Sequence, residues 1–111
     1  MGLFSNNNRT NSKQSDEALR PITLRIGADA SLKKTKEFIS NFEFDVVSPR
    51  DDYHEIYARK GVVEYTISFI EDYGKTHISI LGYSETHPLR IKKGLKEVSL
   101  FLRENLKDYV E

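Results

Sequence analysis

The chain has 111 residues, 38% hydrophobic and 31% charged, with seventeen Lys plus Arg balanced by seventeen Asp plus Glu and a formal net charge of zero. That length holds one ordinary domain and not two. The charge balance removes the summed positive field that would draw the chain as a whole to nucleic acid or an anionic membrane, and the lack of cysteine excludes disulfides, thiolate metal sites and cysteine nucleophiles.

Residues 1–20, rich in Asn and Ser, follow neither a period of two nor one of 3.6 and read as a disordered polar tail, with a single domain over 21–111. Leu3 and Phe4 form a short apolar tip, too small to anchor the chain to a membrane. Gly2 does not complete a myristoylation motif, because Asn6 stands where Ser or Thr is needed. The absence of a signal-type apolar region and of any run of about 18 apolar residues points to the cytoplasm.

The domain opens at Pro21. Ile22, Leu24 and Ile26 alternate with Thr23 and Arg25 as a first, half-buried strand that stops at Gly27. Asp29 or Ser31 can cap a short helix whose apolar positions are Leu32, Phe38, Ile39 and Phe42. Phe44 and Val46 then alternate with Glu43 and Asp45 as a second strand, and Ser48-Pro49-Arg50-Asp51-Asp52 is composed as a turn. A third strand is expected over 53–59, closed by Lys60-Gly61 in a tight hairpin. In the fourth, Val63, Tyr65, Ile67 and Phe69 point one way and Glu64, Thr66 and Ser68 the other. Glu71-Asp72-Tyr73-Gly74-Lys75 reads as the next turn, followed by a fifth strand over 76–83 with Ile78 and Ile80 inward.

Pro88 suits the first turn of a long helix over 88–108. At about 100° per residue, Ile91, Leu95, Val98, Leu102, Leu106 and Tyr109 fall within an arc of about 80° that must cover the sheet. Gly94 lies beside that stripe. A glycine inside a helix costs about 1 kcal/mol relative to alanine, which points to close helix-to-sheet packing there.

The expected fold is therefore α+β, in the order β-α-β-β-β-β-α: an antiparallel meander covered on one face by a short helix and a long C-terminal helix. This order resembles half-repeats of the TATA-binding protein and, more loosely, the helix-grip folds. The resemblance is one of topology and implies a fold rather than an activity.

The chain contains no Walker loop, dinucleotide-binding glycine fingerprint, zinc-protease motif or nucleophile elbow, so a non-enzymatic protein that needs no cofactor is expected. His54 and His77, placed on the third and fifth strands, would stand about 9 to 10 Å apart across the intervening strand, too far to share a metal. Asp51-Asp52 and Glu71-Asp72 read as turn carboxylates rather than acid-base pairs.

Two surfaces remain as candidate sites. Leu89 and Leu100 project from the long helix away from its buried stripe, among Lys92, Lys93, Lys96 and Arg103, and make a candidate surface for a protein partner or for self-association. Tyr53 and Tyr57, with Arg59 and Arg25, make a candidate nucleic-acid face in which the rings would stack on bases. A small-ligand pocket between helix and sheet is a third possibility, for which Tyr65 is the one clear inward polar group.

Overall fold

The structure, a computed structural model, describes residues 6–111; the Leu3-Phe4 tip and Gly2 lie outside them. Six strands form one antiparallel sheet: β1 (Asn7–Arg9), β2 (Ile22–Leu24), β3 (Val46–Arg50), β4 (Glu55–Lys60), β5 (Val63–Asp72) and β6 (Lys75–Tyr83). Two helices, α1 (Ala28–Phe38) and α2 (Ile91–Asn105), pack on one face. The strand order is β1-β6-β5-β4-β3, with β2 also paired to β6. The α+β meander with its long C-terminal helix is thus the fold of the chain.

The strict alternation in β5 explains the two-layer arrangement. Val63, Tyr65, Ile67 and Phe69 are buried, while Glu64, Thr66 and Ser68 between them stay half-exposed. Register extends this face across the sheet: Ile67 lies opposite both Ile56 and Ile80, and Ile78 lies opposite both Phe69 and Ile22. Onto these rows α2 lays Ile91, Leu95, Val98 and Leu102, with Leu106 just beyond its end, and α1 adds Ala28 and Leu32. Each such side chain contributes about 1.5 to 3 kcal/mol by leaving water.

Small residues set how closely α2 approaches. Tyr65 lies opposite Ala58 on one side and Gly82 on the other. A Cβ at Gly82 would come 2.7 Å from the Ile91 side chain, so the helix crosses where the sheet is bare. The hairpin turns follow backbone chemistry: Gly61 has φ 60°, and Tyr73 and Gly74, at φ 51° and 80°, close β5 onto β6 through a two-residue turn with both residues left-handed.

Several boundaries differ from the sequence reading. The stretch from Asn7 to residue 20 is not a disordered tail. Asn7, Asn8 and Arg9 pair with Tyr83, Gly82 and Leu81, so β1 occupies the same edge of β6 that β2 occupies at residues 76–78. Between them Thr10 pairs with Ile80 in both directions, its N–H donating to the Ile80 carbonyl (2.9 Å) and its Oγ1 accepting from the Ile80 N–H (3.0 Å). Ala18 and Leu19, in a 3-10 turn over Glu17–Leu19, are buried against the core. Backbone pairing and the burial of Leu19 are among the contacts that hold this segment, and neither leaves a hydrophobic period in sequence.

The second expected strand is also displaced. Glu43 adopts a left-handed conformation (φ 62°) after a 3-10 turn over Ile39–Phe42, which ends any extended run there. Strand β3 instead runs through Ser48, Pro49 and Arg50, which composition assigns to a turn. Proline is tolerated because β3 is the sheet edge. The turn itself is Asp51–Tyr53, and His54, expected within a strand, takes φ 49° just before β4. The long helix is shorter than expected: Pro88–Arg90 form a 3-10 turn and α2 ends at Asn105. After it the chain returns beside β2, with the Arg25 N–H donating to the Tyr109 carbonyl and the Glu111 N–H to that of Thr23.

Glu71, expected in a turn, lies in β5 and caps α1. Its Oε1 accepts from the Ala28 N–H at 2.7 Å, supplying the cap that Gly27, which has no side chain, cannot. Asp29 and Ser31 fall inside the first turn, and Ser31 Oγ donates to the Gly27 carbonyl. Among the described residues no helix is long and apolar enough to cross a membrane.

Candidate functional site

The six residues of the expected partner surface divide into two groups. Leu89 and Leu100 are exposed, at 72% and 49%, and Lys92 and Lys93 stand near them on the solvent side. Lys96 and Arg103 instead turn toward the amino-terminal segment. Lys96 pairs with Asp16 at 3.0 Å, an exposed contact of small energetic value. That hydrogen bond, and a further one from the Ala18 N–H, hold the Asp16 carboxyl below its usual value.

Arg103 does more structural work. One of its terminal nitrogens donates to the carbonyls of Glu17 (2.9 Å) and Arg20 (3.0 Å), and its Nε donates to Ser99 Oγ. Its side chain is 19% exposed, and burial lowers its pKa while Glu17 opposes that shift. Arg103 is therefore a clamp on the 3-10 turn rather than part of an open rim. The sequence reading missed this because it left the leader without a place in the fold.

The candidate nucleic-acid residues are scattered. Tyr57 and Arg59 share the helix-free face of β4, but the Tyr57 hydroxyl donates to Glu64 and the Arg50 guanidinium lies 5.9 Å from its ring. The hydrogen bond to Glu64 is the main cause that raises the Tyr57 pKa. Tyr53, 76% exposed, sits in the turn before β4. Arg25 lies three strands across the sheet from β4 and beyond the far end of its register, where its Nη2 donates to the Asp108 carbonyl at 2.7 Å. Glu55 and Glu64 stand among the arginines of this face, as cross-strand partners of Arg50 and Arg59.

The histidines are also apart. His54 Nε2 lies 2.6 Å from Asp29, and His77 Nδ1 is within 3.0 Å of Thr23 Oγ1. Among the described residues no group of three His, Asp or Glu side chains is placed to hold a metal ion.

A third feature draws residues from distant parts of the chain. Between the Lys60-Gly61 turn and the start of α2 runs an open groove of about 390 Å³, whose lining includes Lys60, Tyr65, Arg90, Lys93, Gly94 and Glu97. Lys60 is held over the Phe42 ring at 4.5 Å. Tyr65 is only 3% exposed, and its phenol rises against the bare backbone of Gly94. Burial, with a smaller effect of Glu97, pushes that phenol up to about 12, so it remains a neutral donor at ordinary pH. Gly94 beside the helix stripe and Tyr65 on the inward face are the two sequence signals for this groove. Lys60 and Arg90 give no such signal, because only the fold brings the hairpin turn to the helix start.

The chain matches no protein-family model, no curated protein and no solved structure.

Proposed function

We propose that the protein is a non-enzymatic protein-binding module, acting in the cytoplasm, that pairs with a second copy of itself through the solvent side of α2. The observation that carries this reading is the exposure of two large apolar side chains, Leu100 on α2 and Leu89 in the 3-10 turn that leads into it, beside a helix whose opposite side is committed to the core. The distribution of charge favours a second copy over an unrelated partner. The amino half of the helix side carries Lys92, Lys93 and Lys96, and Glu97, Glu104 and Asp108 follow toward the carboxyl end. Two copies crossing antiparallel near Leu100 would bring that leucine onto its counterpart and the amino half of each helix toward the carboxyl half of the other. A single helix-on-helix contact buries little area, so the association is weak and depends on concentration.

The test is sedimentation or light scattering on the full chain over a concentration series, with Leu89→Lys and Leu100→Lys beside the wild type. The expected result is a wild-type dimer, monomeric variants and unchanged thermal melting. A wild type that stays monomeric at every concentration, or a dimer indifferent to both substitutions, would overturn the reading.

A further inference from the structure

We propose that the groove between the Lys60-Gly61 turn and the start of α2 binds a phosphate monoester, its phosphate seated among Lys60, Arg90 and Lys93 and accepting a hydrogen bond from the Tyr65 hydroxyl. Three independent observations support this site.

The first is unspent charge. Lys60, Arg90 and Lys93 make no ion pair among the described residues, although eight such pairs form elsewhere. The only acidic side chain lining the groove is Glu97. Three cations against one carboxylate leave an excess of two, which matches a phosphate dianion and exceeds what a single carboxylate ligand needs. Arginine and lysine together supply the planar fork and the point charge that phosphate oxygens take up.

The second is the Tyr65 hydroxyl. Its ring is buried, and its hydroxyl, which makes no hydrogen bond to protein among the described residues, is not sealed in the core but opens onto the groove. A hydroxyl so placed takes its partner from the groove side. A ligand oxygen in the groove would be that partner, and the neutral phenol is a donor suited to it.

The third is Gly94. Any Cβ at this position would stand 2.0 Å from the Tyr65 hydroxyl oxygen. Glycine weakens a helix relative to alanine, and what it provides here is an opening for one polar group. Val62, exposed at the lip, offers an apolar wall for the organic part of the ligand. Lys93 borders the solvent side of α2 as well, but Lys60, Tyr65 and Gly94 take no part in helix-to-helix pairing, so the site does not rest on self-association.

The test is an amide-resonance titration of the full chain at low ionic strength with inorganic phosphate and with phenyl phosphate, sulfate serving as the control anion. Saturable shifts confined to residues 60–65 and 90–97 are expected, with phenyl phosphate tighter than inorganic phosphate. Equal affinity for the two would place free phosphate rather than an ester in the site and overturn the ester assignment. Tyr65→Phe, which keeps the core ring, should weaken binding about tenfold. Lys93→Gln, a surface change that leaves the fold alone, should weaken it further, and Leu100→Lys should leave it unchanged. Linear unsaturating shifts, or Tyr65→Phe binding as the wild type, would each overturn the proposal.

Discussion

The Tyr65 phenol oxygen sits so close to Gly94 that a β-carbon on the helix would stand 2.0 Å from it, whereas the same carbon would stand 3.1 Å from the ring carbon bearing that oxygen. The steric conflict therefore falls mainly on the hydroxyl oxygen, with the ring carbon needing to yield by only a few tenths of an ångström. Gly94→Ala gains about 1 kcal/mol of helix propensity but loses about 1 to 3 kcal/mol to overpacking. The variant should be less stable than the wild type in urea. In a Tyr65→Phe background the same substitution should be neutral or stabilising, and a double-mutant cycle reading equal costs in both backgrounds would refute this account.

Arg103 holds the amino-terminal segment by donating to two backbone carbonyls, so its removal takes the side-chain donor from Arg20 and leaves Glu17 with only the Arg20 N–H. Arg103→Ala should cost about 2 kcal/mol and speed amide exchange at residues 17–20 before the rest of the sheet. Arg103→Lys should recover little, because a single ammonium cannot reproduce the fork geometry. Full rescue by lysine would show that charge alone does the holding.

Leu19 is the main apolar contribution of the leader to the core. Leu19→Ala should lower stability by about 2 to 4 kcal/mol, read by thermal or urea melting. A chain begun at Pro21 should fare worse, since it also loses β1 and opens the β6 edge at residues 80–83 to other chains. Melting identical to the full chain in either case would show residues 7–20 to be energetically idle.

The raised Tyr65 pKa sets a pH dependence whose sign follows from linkage. The unfolded phenol loses its proton near 10, the folded one only near 12. The contribution to stability is complete below pH 10 and is lost as pH rises toward 12. The wild type should lose stability relative to Tyr65→Phe across that window in alkaline melts. Parallel curves for the two proteins would contradict the burial of the phenol.

The elements legible in the sequence are those whose side chains carry their energy. The alternation from Val63 to Phe69 and the stripe from Ile91 to Leu106 each declare a buried face, and both faces are where periodicity placed them. Strand β1 was illegible because Asn7, Asn8 and Arg9 are all exposed and are held by backbone pairing, to which composition is blind. Pro49 misled in the opposite sense: the residue that signals a turn is compatible with an edge strand. On the candidate surfaces, the exposure of Leu100 was readable from helical angle, while Leu89 is exposed in a 3-10 turn to which that angle does not apply, and the roles of Arg103, Lys60 and Arg90 depend on neighbours far away in the chain.

The arrangement of β1 and β2 along one edge of β6 also constrains the order of events during synthesis. Both strands leave the ribosome long before residues 75–83 exist, and neither has another strand to join. The amino-terminal strands must wait until residues 75–83 are available to pair with them. The long-range pairing of Asn7 with Tyr83 makes edge closure a late and comparatively slow step. Until it happens, the open side of β6 is the surface that a nascent or stalled chain exposes to chaperones and to its own neighbours.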